Sequence, residues 1–133
     1  MLRAAIYARY SSGMQRATSI DDQVAAARGY AKQRGWQVLD DHVYKDAAVS
    51  GASLAGRPEV QALMAAAGRK PRPFDVVLID DSSRVARNLR DALYFLELMM
   101  SVGVQAIFLS QNIDSTHEQA DTMVAIHGIV DAL

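Results

Sequence analysis

The run Phe74-Asp-Val-Val-Leu-Ile79 constrains the fold more than any other stretch of this sequence. It is apolar at nearly every position instead of at alternate ones, so a strand made from it needs apolar cover on both faces. A central strand of a parallel sheet, with helices above and below, meets that need.

The remaining elements supply the cover. Ala4-Ala5-Ile6 reads as a first strand. A helix follows from about Ser19 to Arg34, with Ser19 as its cap, Asp21 and Asp22 in its first turn and Gly35 as its stop. Ile20, Val24, Ala27 and Ala31 make its inward stripe. A second strand runs from Trp36 to about Tyr44, then a long Ala-, Ser- and Gly-rich loop from Lys45 to Gly56. Arg57-Pro58-Glu59 opens a second helix, because proline's missing N–H costs nothing in the first turn; the helix ends near Gly68.

Arg69 to Pro73 reads as a solvated basic turn before the central strand. A polar segment, Asp80 to Asn88, leaves that strand. The third helix spans about Leu89 to Val102, with Leu89, Leu93, Leu96 and Met100 expected inward and Gly103 as stop. Val104 to Leu109 is a fourth strand, and Ser110 to Thr116 leads to a last helix from about Gln119. The order βαβαβαβα predicts an α/β fold: an open, mostly parallel four- to five-stranded sheet with right-handed crossovers, flanked by helices. The loops after strands one to three then emerge at one edge, where such sheets place their sites.

Composition narrows the function. The net charge of −1 argues against a stand-alone DNA-binding module, which usually carries a basic face. There is no cysteine, so no disulfide or thiolate site can be proposed, and no His/Asp/Glu set has convincing metal spacing. The expectation is no metal and no cofactor. No apolar run approaches the ~20 residues of a membrane span, and no signal peptide is evident, so the chain reads as cytosolic, with no membrane partner. In the last segment Met123, Ile126, Val130 and Leu133 recur at helical spacing, and no Gly, Asn or Pro closes the helix. The chain is therefore expected to be a fragment that stops mid-helix.

The first edge loop carries the densest chemistry. In Tyr7-Ala-Arg-Tyr-Ser-Ser-Gly-Met-Gln15, two adjacent hydroxyls, Ser11 and Ser12, follow the first strand. Arg9 stands at i and Ser11 at i+2, so a strand points both to one side, while Ser12 faces away. That pairing suits a nucleophile meeting a phosphate.

These residues resemble the catalytic domain of the serine recombinases, the resolvase and invertase superfamily, and in loop length the large serine integrases. The matching pieces are Y-A-R-Y-S-S-x-x-Q at Tyr7 to Gln15 with Ser19 and Gln23, D-A-A-V-S-G…R at Asp46 to Arg57, and S-R-V-A-R-N at Ser83 to Asn88. They stand in order across nearly the whole chain.

The resemblance implies Ser11 as nucleophile and Arg9, Arg57, Arg84 and Arg87 as the catalytic cations. Arginine stays charged and its planar fork fits phosphate oxygens, where charge grows during attack. Gln15, Gln23, Asp46, Ser50 and Ser83 match supporting positions. One departure stands out: small resolvases carry D-R-x-x-R where this chain has Ser83-Arg84-Val-Ala-Arg87, so Asp81 or Ser83 itself would have to serve for the missing carboxylate. His42, His117 and His127 fall in no motif, and the general base stays open.

The resemblance further implies a catalytic domain over residues 1–116. Residues 117–133 would begin a long dimerisation helix with Met123, Ile126 and Val130 at the interface, and a DNA-binding region would lie outside this chain. DNA would be the partner of the whole protein, acting as a homodimer and as a tetramer in the synapse. The rival from another class is a receiver-like signalling domain with Asp46 or Asp81 as phosphoacceptor. Arg9-Tyr-Ser-Ser stands where receivers expect acids, which counts against it. The remaining rival is a catalytically idle oligomerisation module.

Overall fold

The computed structural model describes residues 1–10, 19–47, 54–86 and 88–116. Five strands and four helices alternate among them: β1 (Arg3–Arg9), α1 (Ile20–Arg34), β2 (Gln37–Asp46), α2 (Pro58–Ala67), β3 (Val76–Ile79), α3 (Ser82–Val85), α4 (Leu89–Ser101), β4 (Gln105–Phe108) and β5 (Ile113–Asp114). The strand order in the sheet is β2-β1-β3-β4-β5. β1, β2, β3 and β4 run parallel, and β5 alone pairs antiparallel to β4. The expected open, mostly parallel sheet is therefore the observed one.

Alternation along the strands divides the core in two. Ala5, Tyr7, Val77, Ile79, Ala106 and Phe108 face a layer that includes Val60 and Leu63 of α2 and Phe95, Leu96 and Met99 of α4. Ala4, Ile6, Val76, Leu78 and Ile107 face the opposite way, onto Ala27 and Ala31 of α1. Every residue of β3 is buried, as a strand covered on both faces requires.

The helix ends follow local rules. Ser19 Oγ accepts from Asp22 N at 3.4 Å, and Gly35 (φ +73°) and Gly103 (φ +78°) take the left-handed conformation after α1 and α4. Pro58 is the first residue of α2.

The α4 face differs from expectation. Leu96 is buried and Leu93 half-buried, but Leu89 and Met100 are 39% and 55% exposed. The packed side is Ala92, Phe95, Leu96 and Met99. The helix is apolar around more than half its circumference, so spacing alone leaves its rotation open. Seating the Phe95 ring on the sheet turns Leu89 and Met100 outward. On α1, Ala27 and Ala31 are fully covered, and Ile20 and Val24 only partly.

An ion-pair cluster ties β1 to β3 at the end of the sheet where both strands begin. Arg3 N and Nη2 donate to Asp75 at 2.8 and 3.2 Å, and Arg72 Nη2 donates to Asp75 at 3.3 Å. The Arg3 hydrogen bonds hold the Asp75 carboxyl down at about 2. A depressed folded-state pKa adds stability above the unfolded carboxyl value and forfeits it on acidification. Asp75 should therefore lose its contribution between about pH 5 and pH 1, roughly 1 kcal/mol after screening at the half-exposed arginines. Asp75→Asn should lower stability by that amount at pH 7 and by much less at pH 2, where about half of Asp75 is already protonated, as read by urea unfolding at both pH values.

A candidate arginine-lined active site at the sheet edge

The C-terminal ends of β1, β2 and β3 meet at one edge, and Arg9 is the register partner of Asp46. Tyr7 and Arg9, two apart on β1, point to the same side of the sheet, as strand alternation demands. There a network of buried polar groups gathers.

Arg9 is nearly buried, at 4% exposure. Its Nε donates to Arg84 O at 2.9 Å and its Nη2 to Ser83 O at 2.7 Å. Its backbone is gripped from the other face of the sheet by Gln23 of α1. Gln23 Oε1 accepts from Arg9 N at 3.1 Å, and Gln23 Nε2 donates to Arg9 O at 3.0 Å. The amide side chain continues the hydrogen-bond ladder at Arg9, the last residue of β1 and two before Ser11 in sequence.

Arg57 immediately precedes α2 and is fully buried. Its Nη1 donates to Arg84 O at 2.6 Å and lies 3.4 Å from Tyr7 Oη. Arg57, expected among the catalytic cations, is enclosed, and its guanidinium holds the carbonyl of Arg84.

Arg84 is the least enclosed of the three. Its side chain, 14% exposed, donates from Nη1 to Arg9 O at 3.2 Å and from Nη2 to Asp80 Oδ2 at 3.3 Å. The turn that bears it is built by Asp81, which caps α3 by accepting from Ser83 N at 2.9 Å and from Ser83 Oγ. Gln111 Oε1 accepts from Ser82 N at 2.8 Å and fixes the same turn from beyond β4. This one-turn helix lay hidden in the polar segment, too short to show a period.

Asp46 does not reach an arginine. Its carboxylate accepts from Tyr7 Oη at 2.7 Å and from Glu59 N and Val60 N, the open first turn of α2, at 3.0 and 3.1 Å. Burial, and then the bond to Asp46, push the Tyr7 phenol far above its ordinary range, so it is a permanent donor. Asp46→Ala should leave three donors without this acceptor, two of them buried. At about 1–3 kcal/mol for each buried donor, a loss of roughly 2–6 kcal/mol is expected in denaturant unfolding. Asp46→Asn, which keeps one oxygen, should lose about half of that.

The structure thus brings together Arg9, Arg57, Arg84, Gln23, Asp46 and Ser83. Ser11, Gln15, Ser50, Arg87, Met123, Ile126 and Val130 lie outside the described residues, as do Ser12, His117 and His127. His42 lies four residues before Asp46 on β2, on the order of 13 Å along the strand. Burial, and then Arg69, lower its pKa. Tyr7, Asp80 and Gln111 were missed from sequence; Tyr7 could have been found from its i, i+2 relation to Arg9. Among the described residues no group of three His, Asp or Glu side chains is placed to hold a metal ion, and no helix is long and apolar enough to cross a membrane.

A mostly parallel sheet with guanidinium groups gathered at its β1–β3 edge fits the catalytic domain of a serine recombinase. The chain belongs to the family described as Resolvase, N terminal domain, whose model matches residues 4–133. Among solved structures it is similar to the N-terminal catalytic domain of TP901-1 integrase. Identity there is 32%, over 98% of this chain and 94% of that one, with a TM-score of 0.78. It is also similar to a resolvase family site-specific recombinase from Streptococcus pneumoniae, at 26% identity over 99% and 89% of the two chains, again with a TM-score of 0.78. No curated protein matches the chain.

Proposed function

We propose that this domain performs site-specific DNA recombination by serine nucleophilic catalysis. Ser11 Oγ attacks a DNA phosphorus, the bond to the 3′ oxygen breaks, and that oxygen takes up a proton while the serine proton leaves to a base. The 5′ end stays esterified to Ser11, which conserves the bond energy, so religation by a 3′ hydroxyl needs no ATP. Strand exchange takes place between the two steps, in a tetramer assembled from dimers.

One observation carries this reading: Arg9, Arg57 and Arg84 converge at the end of β1, two residues before Ser11 in sequence, with Arg9 and Arg57 bonded to the carbonyls of the Arg84 turn. Arg84 and Arg87 contact the phosphate, while Arg9 and Arg57 hold the turn and add their field in a region of low dielectric. Gln15 and Ser50 support the loops around the scissile phosphate, and Gln23, Asp46 and Ser83 hold the frame. Residues 1–116 form the catalytic unit, and the segment from 117 carries Met123, Ile126 and Val130 into the dimer contact. DNA is recognised by a region beyond this domain.

The test is to trap the intermediate. A nicked DNA substrate whose 3′ product strand dissociates should leave a protein–DNA adduct that resists denaturant, and digestion should map the phosphate to Ser11. A protein phosphorylated on Asp46 or Asp81 by a small phosphodonor, with no DNA adduct, would establish the receiver-like reading instead.

A further inference from the structure

Arg84 lacks the acid that precedes it in the D-R-x-x-R pattern, yet two carboxylates close on it from earlier in the chain. Asp80 Oδ2 accepts from Nη2 at 3.3 Å, and Asp81 Oδ2 stands 3.8 Å from Nε. We propose that Asp80 and Asp81 are the positioning residues of Arg84, a carboxylate pair at i−4 and i−3 that holds its guanidinium toward the scissile phosphate.

Both acids are themselves held. Asp80 directly follows β3, and its carbonyl accepts from Ser110 N and Ser110 Oγ, each at 2.8 Å, which ties it to the turn after β4. Asp81 is fixed through its other oxygen by Ser83 N and Ser83 Oγ. Serine at 83 thus orients the acid in place of being one. An arginine side chain has a large rotamer freedom to lose, and anchoring its fork removes that cost before substrate arrives. Among the described residues, Arg84 keeps unused donors. Of five N–H groups, one on Nη1 goes to Arg9 O, one on Nη2 to Asp80, and that on Nε faces Asp81. One on each Nη remains for a phosphate oxygen.

This inference rests on the recombinase reading, and its test separates the two. Asparagine caps a helix about as well as aspartate, so Asp80→Asn with Asp81→Asn removes charge while leaving the α3 turn capped. The double variant should keep the melting temperature and DNA affinity of the wild type but cleave on the order of 10-fold more slowly, less than the loss expected for deleting a contact to the phosphate. Adding Ser83→Asp should restore most of the rate by returning a carboxylate to the residue before Arg84. An unchanged rate in the double variant, or no recovery in the triple one, would overturn the proposal.

A second readout needs no DNA. In this chain labelled with ¹⁵N-arginine, the Arg84 Nε–H signal, assigned by its loss in Arg84→Lys, should exchange slowly with water and move to the free-arginine position in the double variant. A signal indifferent to the double substitution would sink the bracing role even if the protein recombines DNA. A signal that moves in a protein that never forms an adduct would leave the bracing standing and remove the recombinase reading.

Discussion

Ser11→Ala, in a DNA-binding protein that carries this domain, is expected to form no covalent DNA adduct while binding its site as tightly as the wild type. The substitution removes one oxygen, and without it neither the bond to phosphorus nor the ester that stores its energy can exist. No arginine at the sheet edge can take over, because a guanidinium stays protonated and is not a nucleophile. Binding should survive, since recognition is assigned to another region. Ser12→Ala should still form the adduct, because on an extended backbone its hydroxyl points away from the side that Arg9 shares with Ser11. Mass spectrometry of the trapped adduct decides the matter: phosphate found on Ser12 would refute the assignment.

The second large effect belongs to the cations. Arg9→Ala, Arg84→Ala and Arg87→Ala should each slow single-turnover cleavage by roughly 10²–10³-fold at saturating protein, the usual loss for one preorganised transition-state donor. The causes differ. Arg84 loses a phosphate contact, whereas Arg9 loses the clamp across the Ser83 and Arg84 carbonyls. Lysine should rescue either poorly. Its ammonium is a point charge with all donors on one atom, so it cannot reproduce the spaced, planar fork that reaches the two carbonyls at Arg9, or Arg9 O, Asp80 and a phosphate at Arg84. Chelator should leave the wild-type rate unchanged. A rate lost in EDTA and restored by Mg²⁺ would overturn the metal-independent mechanism.

Much of this architecture was legible because its signals are local and strong. The apolar run ending at Ile79 could only be a strand covered on both faces, and Ser19, Gly35, Pro58 and Gly103 mark helix boundaries by their own backbone chemistry. β5 escaped notice since a two-residue strand after a 3₁₀ turn has no period to read. The rotation of α4 was misjudged because Leu89 and Met100 extend an apolar arc that the sheet covers on one side only.

At the site, residue types and order identified the arginines, but their partners could not be anticipated. Arg9 and Arg57 bond mainly to carbonyls of the Arg84 turn, which leave no trace in a side-chain pattern. Asp80 ion-pairs with an arginine one helical turn onward, a partner set by the α3 turn. Asp46, matched only as a supporting position, is the last residue of β2 and binds Tyr7 and the first turn of α2.

The carbonyl clamp has a further consequence, for how this domain can change over generations. A peptide oxygen is the same whichever amino acid carries it, so Arg9 and Arg57 keep their grip on residues 83 and 84 through almost any substitution at position 83. The clamp is insulated from that side chain, whose own hydrogen bond goes to Asp81 instead. An acid there and a serine there are then neighbouring solutions on one scaffold, reachable one from the other without passing through a collapsed site. Saturation mutagenesis at position 83 should therefore yield a broad plateau of folded domains, whereas the same scan at Arg9 should yield a single peak.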